Sequence, residues 1–352
     1  VYPGLAVSAA LRVRIPAASI LFVGSASAME AKVIPRSGYP FRGLHVARVS
    51  GVSLRARMEG LLRLPGSVRE AAGILKEFGA DVVFGVGGYA SVSTVLAAAR
   101  LGIPRVLHEQ NAFPGLANRW LGRIASAVAV SFPGTVGFFP RGRATVTGNP
   151  IRPEIRPADK GAARRRLGLA ADRFTVLVFG GSQGAHRLNQ AVVEALREIG
   201  PERGRLQFVH GTGEKDRDEV RRAYDGAKVA ARVEAFFEEM ATIYQAADFA
   251  ICRAGAGTVF ELAGLGLPGL LVPYPHAAND HQRLNAEAMV EAGAAWLVSD
   301  QQCDGGRVAA SLRTALERPD RLKAMGDRAR ALARPEAADA IVDLLEAAAR
   351  RA

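Results

Sequence analysis

Two glycine-rich turns, each following an apolar run, hold the groups best suited to meet phosphate. The first is Phe179-Gly180-Gly181-Ser182-Gln183-Gly184-Ala185-His186, after the run that starts at Thr175. The second is Arg253-Ala254-Gly255-Ala256-Gly257-Thr258, after Asp248 to Cys252, and it opens a helical segment that contains Glu261. A turn of this kind between strand and helix brings backbone N–H groups and the positive end of a helix dipole onto an anion. Two in the same half of the chain suggest a nucleotide held at both ends. Neither fits the dinucleotide fingerprint or the Walker pattern, which needs a Lys after its glycines and fixes their spacing.

Other clusters can handle polar ligands. Gly85-Val86-Gly87-Gly88-Tyr89-Ala90-Ser91 follows an apolar run and either lets a sugar or phosphate approach closely or forms a strained structural turn. His108-Glu109-Gln110-Asn111 ends another apolar run, where open α/β sheets bind ligands. His108 is either a catalytic group or a buried structural imidazole, and Glu109 either a catalytic group or a carboxylate that orients a loop through backbone N–H groups. Pro275 to Gln282 places Asp280, His281 and Gln282 at a helix start, suited to sugar hydroxyls. His276 and His281 lack companions at structural-zinc spacing, so no metal site is expected. Asp216-Arg217-Asp218 reads as a solvated loop and helix start rather than a divalent-metal site.

The elements that must position these groups alternate between strand and helix. Ser19 to Val23, Ala80 to Phe84, Arg105 to His108, Ala127 to Val130 and a short strand from Ala144 form one set. Thr175 to Phe179, Leu206 to His210, Ala230 to Glu234, Phe249 to Cys252, Gly269 to Val272 and Ala295 to Val298 form the other. Such alternation predicts an α/β protein with mostly parallel sheets covered on both faces, two sheets with a crevice between their strand ends. The proline-rich stretch Ile151 to Pro157 reads as the linker. The expected organisation is a Rossmann-like domain over 1–152, a second over 153–332, and a helical tail over 333–352 that crosses back onto the first.

The 352-residue chain is long enough for two substantial cores, and 49% hydrophobic residues fit a globular protein. No apolar run approaches the length of a membrane-spanning helix. Cys252 and Cys303 provide no disulfide framework, and the first residues form no secretory signal. The net charge is +12, and residues 1–150 hold 17 Lys and Arg against 6 Asp and Glu. The first half therefore faces an anionic partner. No recognisable nucleic-acid module accompanies this charge, so no nucleic-acid partner is expected. Arg55, Arg57, Met58, Leu61, Leu62 and Arg63 interleave basic and apolar groups as a membrane-surface patch would, with Trp120 as a nearby wedge. The competing reading is that Met58, Leu61, Leu62 and Trp120 complete a core.

Gly87-Gly88-Tyr89, His108-Glu109-Gln110-Asn111, Gly148-Asn149-Pro150-Ile151-Arg152, Gly180-Gly181-Ser182-Gln183-Gly184 and Ala256-Gly257-Thr258-Val259-Phe260-Glu261 occur in the order found in the MurG family. The chain resembles these bacterial N-acetylglucosaminyltransferases of glycosyltransferase family 28 over essentially its whole length. The resemblance implies the GT-B fold, two Rossmann-like domains with mostly parallel sheets facing across a cleft. It implies inverting transfer of GlcNAc from UDP-GlcNAc to the MurNAc 4-hydroxyl of lipid I, forming the β-1,4 bond of lipid II without a required cofactor.

By the same resemblance, Asn111 and Arg152 help hold the donor, with Ser182 at its diphosphate. Phe237 offers a backbone contact to uracil, Ala256, Gly257, Thr258, Val259, Phe260 and Glu261 surround the nucleotide, Glu261 takes the ribose hydroxyls, and Gln282 contacts GlcNAc. Tyr2, Gly87, Gly88 and Tyr89 lie on the acceptor side. The implied location is peripheral, on the cytoplasmic side of an anionic membrane, with cell-wall synthesis proteins as partners.

The family pattern begins with an apolar strand and a glycine-rich loop ending in His, immediately before a segment matched here by Val1-Tyr2-Pro3-Gly4-Leu5-Ala6. The expectation is a sequence lacking that strand, a diphosphate-facing loop and the favoured catalytic His, and impaired in turnover until they are restored. His108 and Glu109 are the remaining candidates for the base. The alternatives are another UDP-sugar transferase of the same plan, or a catalytically impaired UDP-sugar-binding form.

Overall fold

The computed structural model describes residues 1–27, 29–46, 54–181 and 184–351, with only the backbone over 54–61. In chain order these form α1 (Tyr2–Arg14), β1 (Phe22–Ser25), α2 (Glu30–Arg36), β2 (Phe41–Leu44), α3 (Leu54–Phe78), β3 (Val83–Gly85), α4 (Tyr89–Arg100), β4 (Arg105–Glu109), α5 (Leu116–Leu121), β5 (Ala127–Val130) and β6 (Ala144–Val146). They continue as α6 (Lys160–Arg166), β7 (Phe174–Phe179), α7 (His186–Glu198), β8 (Leu206–Gly211), α8 (Arg217–Ala227), β9 (Ala230–Glu234), α9 (Met240–Ala246), β10 (Phe249–Cys252), α10 (Ala256–Leu265), β11 (Gly269–Leu271), α11 (His281–Glu291), β12 (Ala295–Leu297), α12 (Gly305–Glu317), α13 (Pro319–Leu332) and α14 (Ala337–Ala349). The chain divides into one compact unit of Val1–Arg152 with Arg334–Ala352, and a second of Pro153–Ala333.

The second unit is built on six parallel strands in the order β12-β11-β10-β7-β8-β9. All residues of β8 and β10 are buried, which is what continuous apolar runs yield when helices cover both faces of a sheet. Helix α7 turns Leu188, Ala191, Val192, Ala195 and Leu196 inward, and α12 answers with Val308, Ala309, Leu312, Ala315 and Leu316. Both sets follow the spacing that gathers apolar side chains on one helical face.

The first unit holds parallel strands in the order β3-β4-β5-β6 and a separate parallel pair, β1 with β2. Helix α14 belongs to this unit. Its Ile341, Val342 and Leu345 pack with Val7 of α1, Val106 of β4 and Ala129 of β5. Arg14 at the end of α1 ion-pairs with Asp343, Asp339 (3.3 Å) and Glu346 (3.6 Å) on α14.

The α/β reading with parallel sheets holds, and β5, β9 and β10 have the limits expected from sequence. Strand β1 starts later than expected, and β2 was not expected at all. Only Leu44 of β2 is buried, and Gly43 sits where an added Cβ would come within 2.8 Å of Ala26 Cβ. A short glycine-containing segment with one apolar anchor carries no strand signature, so its pairing comes from tertiary context.

Because Ile341 is fully buried against two strands, Ile341→Ala is expected to destabilise the first unit by about 2–5 kcal/mol. Arg350→Ala, which removes an exposed pair with Glu346, is expected to change stability by under about 0.5 kcal/mol. Urea unfolding of the two variants measures the contrast.

Candidate functional site

In the second unit β7 and β10 are neighbours, with Cys252 in register with Phe179, yet their following connections run to opposite sides of the sheet. Right-handed crossovers then put α7 and α10 on opposite faces, and the strand order reverses between them. The two glycine-rich turns found in the sequence leave the sheet side by side at this point.

Two glycines of the first turn exclude side chains. A Cβ at Gly180 would lie 2.3 Å from Ala185 Cβ, and one at Gly184, where φ is +75°, would lie 2.2 Å from the Thr212 carbonyl oxygen. Helix α7 has no side-chain cap and no acidic residue in its first turn, so its leading N–H groups present a positive end. Ser182 and Gln183 lie outside the described residues.

Beneath this turn runs a polar network that the sequence did not reveal. Asn189 Nδ2 donates to the Thr212 carbonyl (2.8 Å) and to Asp216 Oδ2 (2.8 Å). His186 Nδ1 donates to Asp216 Oδ1 (3.0 Å). His210 Nε2 donates to Asn189 Oδ1 (3.1 Å), and its Nδ1 accepts from the Tyr224 hydroxyl (3.1 Å). The expectation of a solvated loop at Asp216 is corrected: its side chain is 14% exposed because both carboxylate oxygens are drawn to α7.

The second turn is supported by Arg253. Its guanidinium meets Asp300 (2.6 Å) and donates to the carbonyls of Val272 (3.1 Å) and Pro273 (3.0 Å), joining the segments that follow β10, β11 and β12. Asn285 of α11 donates to the Ala254 carbonyl (3.2 Å). On α10, Ala256, Val259 and Phe260 are buried, while Gly257, Thr258 and Glu261 keep some exposure. Tyr244, on α9 and 2% exposed, donates its hydroxyl to Glu261 Oε2 (2.9 Å). Its ring stands edge-on to Phe179, with centroids 5.8 Å apart.

Phe237 is buried, its ring under the Arg232 guanidinium at 5.4 Å, and the segment before it hydrogen-bonds to the end of β8 through Thr212 and Gly213. Gln282 Oε1 accepts from the Tyr274 N–H (2.9 Å), which fixes the carboxamide at the start of α11. Asn279 and Asp280 before it both have φ of +53°, a left-handed conformation that Asn and Asp tolerate better than most residues.

In the first unit, the His108-Glu109-Gln110-Asn111 stretch closes β4. Glu109, 2% exposed, accepts from the N–H groups of Asn111 (2.9 Å) and Gly115 (3.1 Å) and from Asn118 Nδ2 (2.9 Å). His108 is fully enclosed: Nε2 faces the Gly148 carbonyl (3.4 Å) and Nδ1 accepts from Gln110 Nε2 (3.1 Å). Gly87, Gly88 and Tyr89 line a cavity of ≈ 380 Å³, with Val1, Glu30 and Phe41 also in its wall. Tyr2 is not in that wall; its ring lies under the Arg152 guanidinium, 4.8 Å from the centroid.

Leu62 is 78% exposed and Trp120 74%, so neither completes a core. Arg63 is also exposed, whereas the side chains of Arg55, Arg57, Met58 and Leu61 lie outside the described residues. No group of three or more potential metal-ligating side chains occurs among the described residues. Cys252 and Cys303 are free and buried, and burial raises both thiols, Cys303 to about 11.

The hidden members of the network, Asn189, His210, Tyr244 and Asp300, had no spacing signature. The available signal was polarity within otherwise apolar elements, as in His210 on a strand with no exposed residue.

Burial lowers His108 from 6.5 to about 4 and His210 to about 3. The unfolded chain takes up these protons near pH 6.5 while the folded chain resists, so the neutral imidazoles contribute stability fully above pH 6.5 and lose it as pH falls toward 4 and 3. Unfolding free energies from urea titrations are expected to drop between pH 7 and pH 5, by up to about 1.4 kcal/mol per pH unit for each group. His210→Gln should flatten the slope for the second unit, whatever its stability at pH 7.

Residues 1–130 match the Glycosyltransferase family 28 N-terminal domain, and residues 175–342 its C-terminal domain. A relative from Geobacter sulfurreducens, named UDP-N-acetylglucosamine--N-acetylmuramyl-(pentapeptide) pyrophosphoryl-undecaprenol N-acetylglucosamine transferase, is 41% identical over 350 residues, covering 99% of this chain and 96% of its own. A relative of the same name from Thermodesulfovibrio yellowstonii is 39% identical over 350 residues, with the same coverage. Among solved structures, MurG of Acinetobacter baumannii aligns with a TM-score of 0.76 at 29% identity, covering 98% of this chain and 95% of that one.

Proposed function

The chain belongs to glycosyltransferase family 28, and from that premise we propose that it transfers GlcNAc from UDP-GlcNAc to the MurNAc 4-hydroxyl of undecaprenyl-diphospho-MurNAc-pentapeptide, lipid I, to give lipid II. The observation that carries the donor assignment is the strand-order reversal in the second unit, where a side-chain-excluding turn and an uncapped helix meet beside a second glycine-rich turn. The acceptor follows from the transferases to which the chain aligns over nearly its full length.

The reaction is an inverting displacement. The acceptor oxygen attacks C1 of GlcNAc while the bond to the diphosphate breaks on the opposite face, and a base takes the hydroxyl proton. Negative charge grows on the departing UDP. The start of α7 and the glycine turn before it are assigned to stabilising that charge, with Ser182 assigned to the same diphosphate. Ala256, Gly257, Thr258, Val259 and Phe260 are assigned to the nucleotide along the first turns of α10. Glu261, held by Tyr244, accepts ribose hydroxyl protons; the Phe237 backbone contacts uracil; Gln282 retains its amide donors for GlcNAc. Asn111 and Arg152 remain assigned to the donor by their motifs.

His108 and Glu109 are better assigned as positioning residues than as the base. A general base must reach the hydroxyl, and both side chains are enclosed and committed to internal hydrogen bonds. Gly87, Gly88 and Tyr89 are assigned to acceptor contact at their cavity, with Tyr2 also on the acceptor side. No helix of the described residues is long and apolar enough to cross a membrane. Peripheral association with an anionic membrane on its cytoplasmic side is supported by the exposed Leu62, Arg63 and Trp120 and by the basic first half. Cell-wall synthesis proteins are the proposed partners there.

The assay is UDP release from UDP-GlcNAc with a soluble lipid I analogue, with product linkage determined in parallel. Acceptor-dependent release and a β-1,4 product are expected; turnover with a different acceptor and none with the lipid I analogue would overturn the assignment. Tyr244→Phe keeps the ring against Phe179 and removes only the hydroxyl at Glu261. It should raise KM for UDP-GlcNAc about 3–10-fold, as expected for one lost hydrogen bond, with kcat little changed. The effect should shrink with a donor lacking ribose hydroxyls.

A further inference from the structure

The strand ends opposite the glycine-rich turns border a cavity that the transferase reading leaves unused. It measures ≈ 750 Å³ and is lined at the beginnings of β7, β8, β10 and β11 and along α6, α12 and α13. Since β7 has six residues, about 20 Å of strand separates this edge from the proposed donor turn.

The cavity gathers charge of one sign. The second unit as a whole is almost balanced, with 25 Lys and Arg against 24 Asp and Glu over residues 153–333. Its lining nevertheless holds six cations and only two carboxylates. One of these, Asp248, is fully engaged: Oδ1 meets Lys160 Nζ (2.7 Å), while Oδ2 accepts from Arg164 and from the Thr175 N–H (2.8 Å). Arg330 is paired with Asp327 (2.9 Å). Arg173, Arg205 and Lys323 have no ion-pair partner within 4.0 Å among the described residues.

Like charges gathered in one concavity repel one another within a Debye length of about 8–10 Å, a cost that a bound anion relieves. Guanidinium groups favour phosphate because their N–H pairs match its oxygens. Phe174, Pro268, Leu316 and Leu322 add an apolar wall, and the volume falls within the range of small-molecule sites. We propose that this cavity is a second anion site that binds a diphosphate-bearing small molecule through Arg173, Arg205 and Lys323. The site is separate from the one assigned to UDP-GlcNAc, and both can be filled together.

The test is calorimetric titration of the full chain with pyrophosphate at low salt, with and without saturating UDP. The wild type should retain one equivalent of pyrophosphate binding in the presence of UDP. The combined variant Arg173→Ala, Arg205→Ala, Lys323→Ala should weaken that binding at least tenfold, while Arg36→Ala, Lys76→Ala, Arg100→Ala in the first unit should leave it intact. All six side chains are exposed or half-buried, and an unchanged melting temperature verifies the fold of each variant. Equal binding by the wild type and the cavity variant, or no binding by the UDP-saturated wild type, overturns the proposal. Should UDP itself fail to bind, the transferase reading is at fault, and the contrast between the two combined variants still tests the cavity. Tighter binding of ADP than of pyrophosphate would assign the apolar wall to a nucleobase; equal affinity would assign the site to the diphosphate alone.

Discussion

The reversal of strand order between β7 and β10 obliges the chain to leave two adjacent parallel strands on opposite faces of the sheet. Backbone turns at such a point have no ladder partner, and a buried unsatisfied polar group costs about 1–3 kcal/mol. The second unit answers with side chains that accept or donate on their behalf. Asn189 takes the Thr212 carbonyl, Arg253 takes those of Val272 and Pro273, and Asn285 takes that of Ala254. The same contacts that satisfy the fold therefore set the position of both glycine-rich turns. Under the proposed donor role, a ligand at the second turn meets a segment already ordered, so little of its binding energy is spent on ordering it.

The first unit solves the same problem with a carboxylate. Glu109 draws the N–H groups of Asn111 and Gly115 and the Asn118 amide around a single side chain, while Thr135 holds the Ala112 carbonyl (2.8 Å). The arrangement explains why acidic and imidazole groups stand at the end of β4 without being exposed there. His108 serves β4, β5 and the Gly148 carbonyl together, through Gln110, Ser131 and its own Nε2. Residues of catalytic type have been used to hold the shape of a loop.

That distinction marks the boundary of what sequence could disclose. Periodicity placed β5 and β10 because their apolar runs are continuous, and the first glycine turn was visible because Gly180 and Gly184 stand where close backbone approach admits no side chain. The partners of those turns were not visible. Arg253 with Asp300 and Tyr244 with Glu261 are pairs whose proximity is created by the sheet order, and local spacing carries no trace of it. Asp216 was misread for the same reason: amid charged neighbours it looks solvated, yet His186 and Asn189 reach it from another helix. The exposed Trp120 and Leu62 were legible only as a choice between core and surface, because residue type alone does not say which face a helix buries.

The paired charges around the proposed donor turns bear on turnover as well as stability. Arg253 is neutralised by Asp300, Arg232 by Glu239 (2.7 Å), and Arg283 by Asp280 and Glu287. His186, at the first position of α7, is turned to Asp216. What remains to meet a diphosphate at these turns, among the described residues, is largely backbone N–H and helix dipole, whose attraction is worth less than that of an unpaired guanidinium. A transferase gains from this arrangement because uniformly tight binding of the diphosphate would hold substrate and product alike without lowering the barrier. Oriented dipoles respond most to charge that develops as the sugar bond breaks, and leave UDP free to depart once the acceptor has taken the sugar.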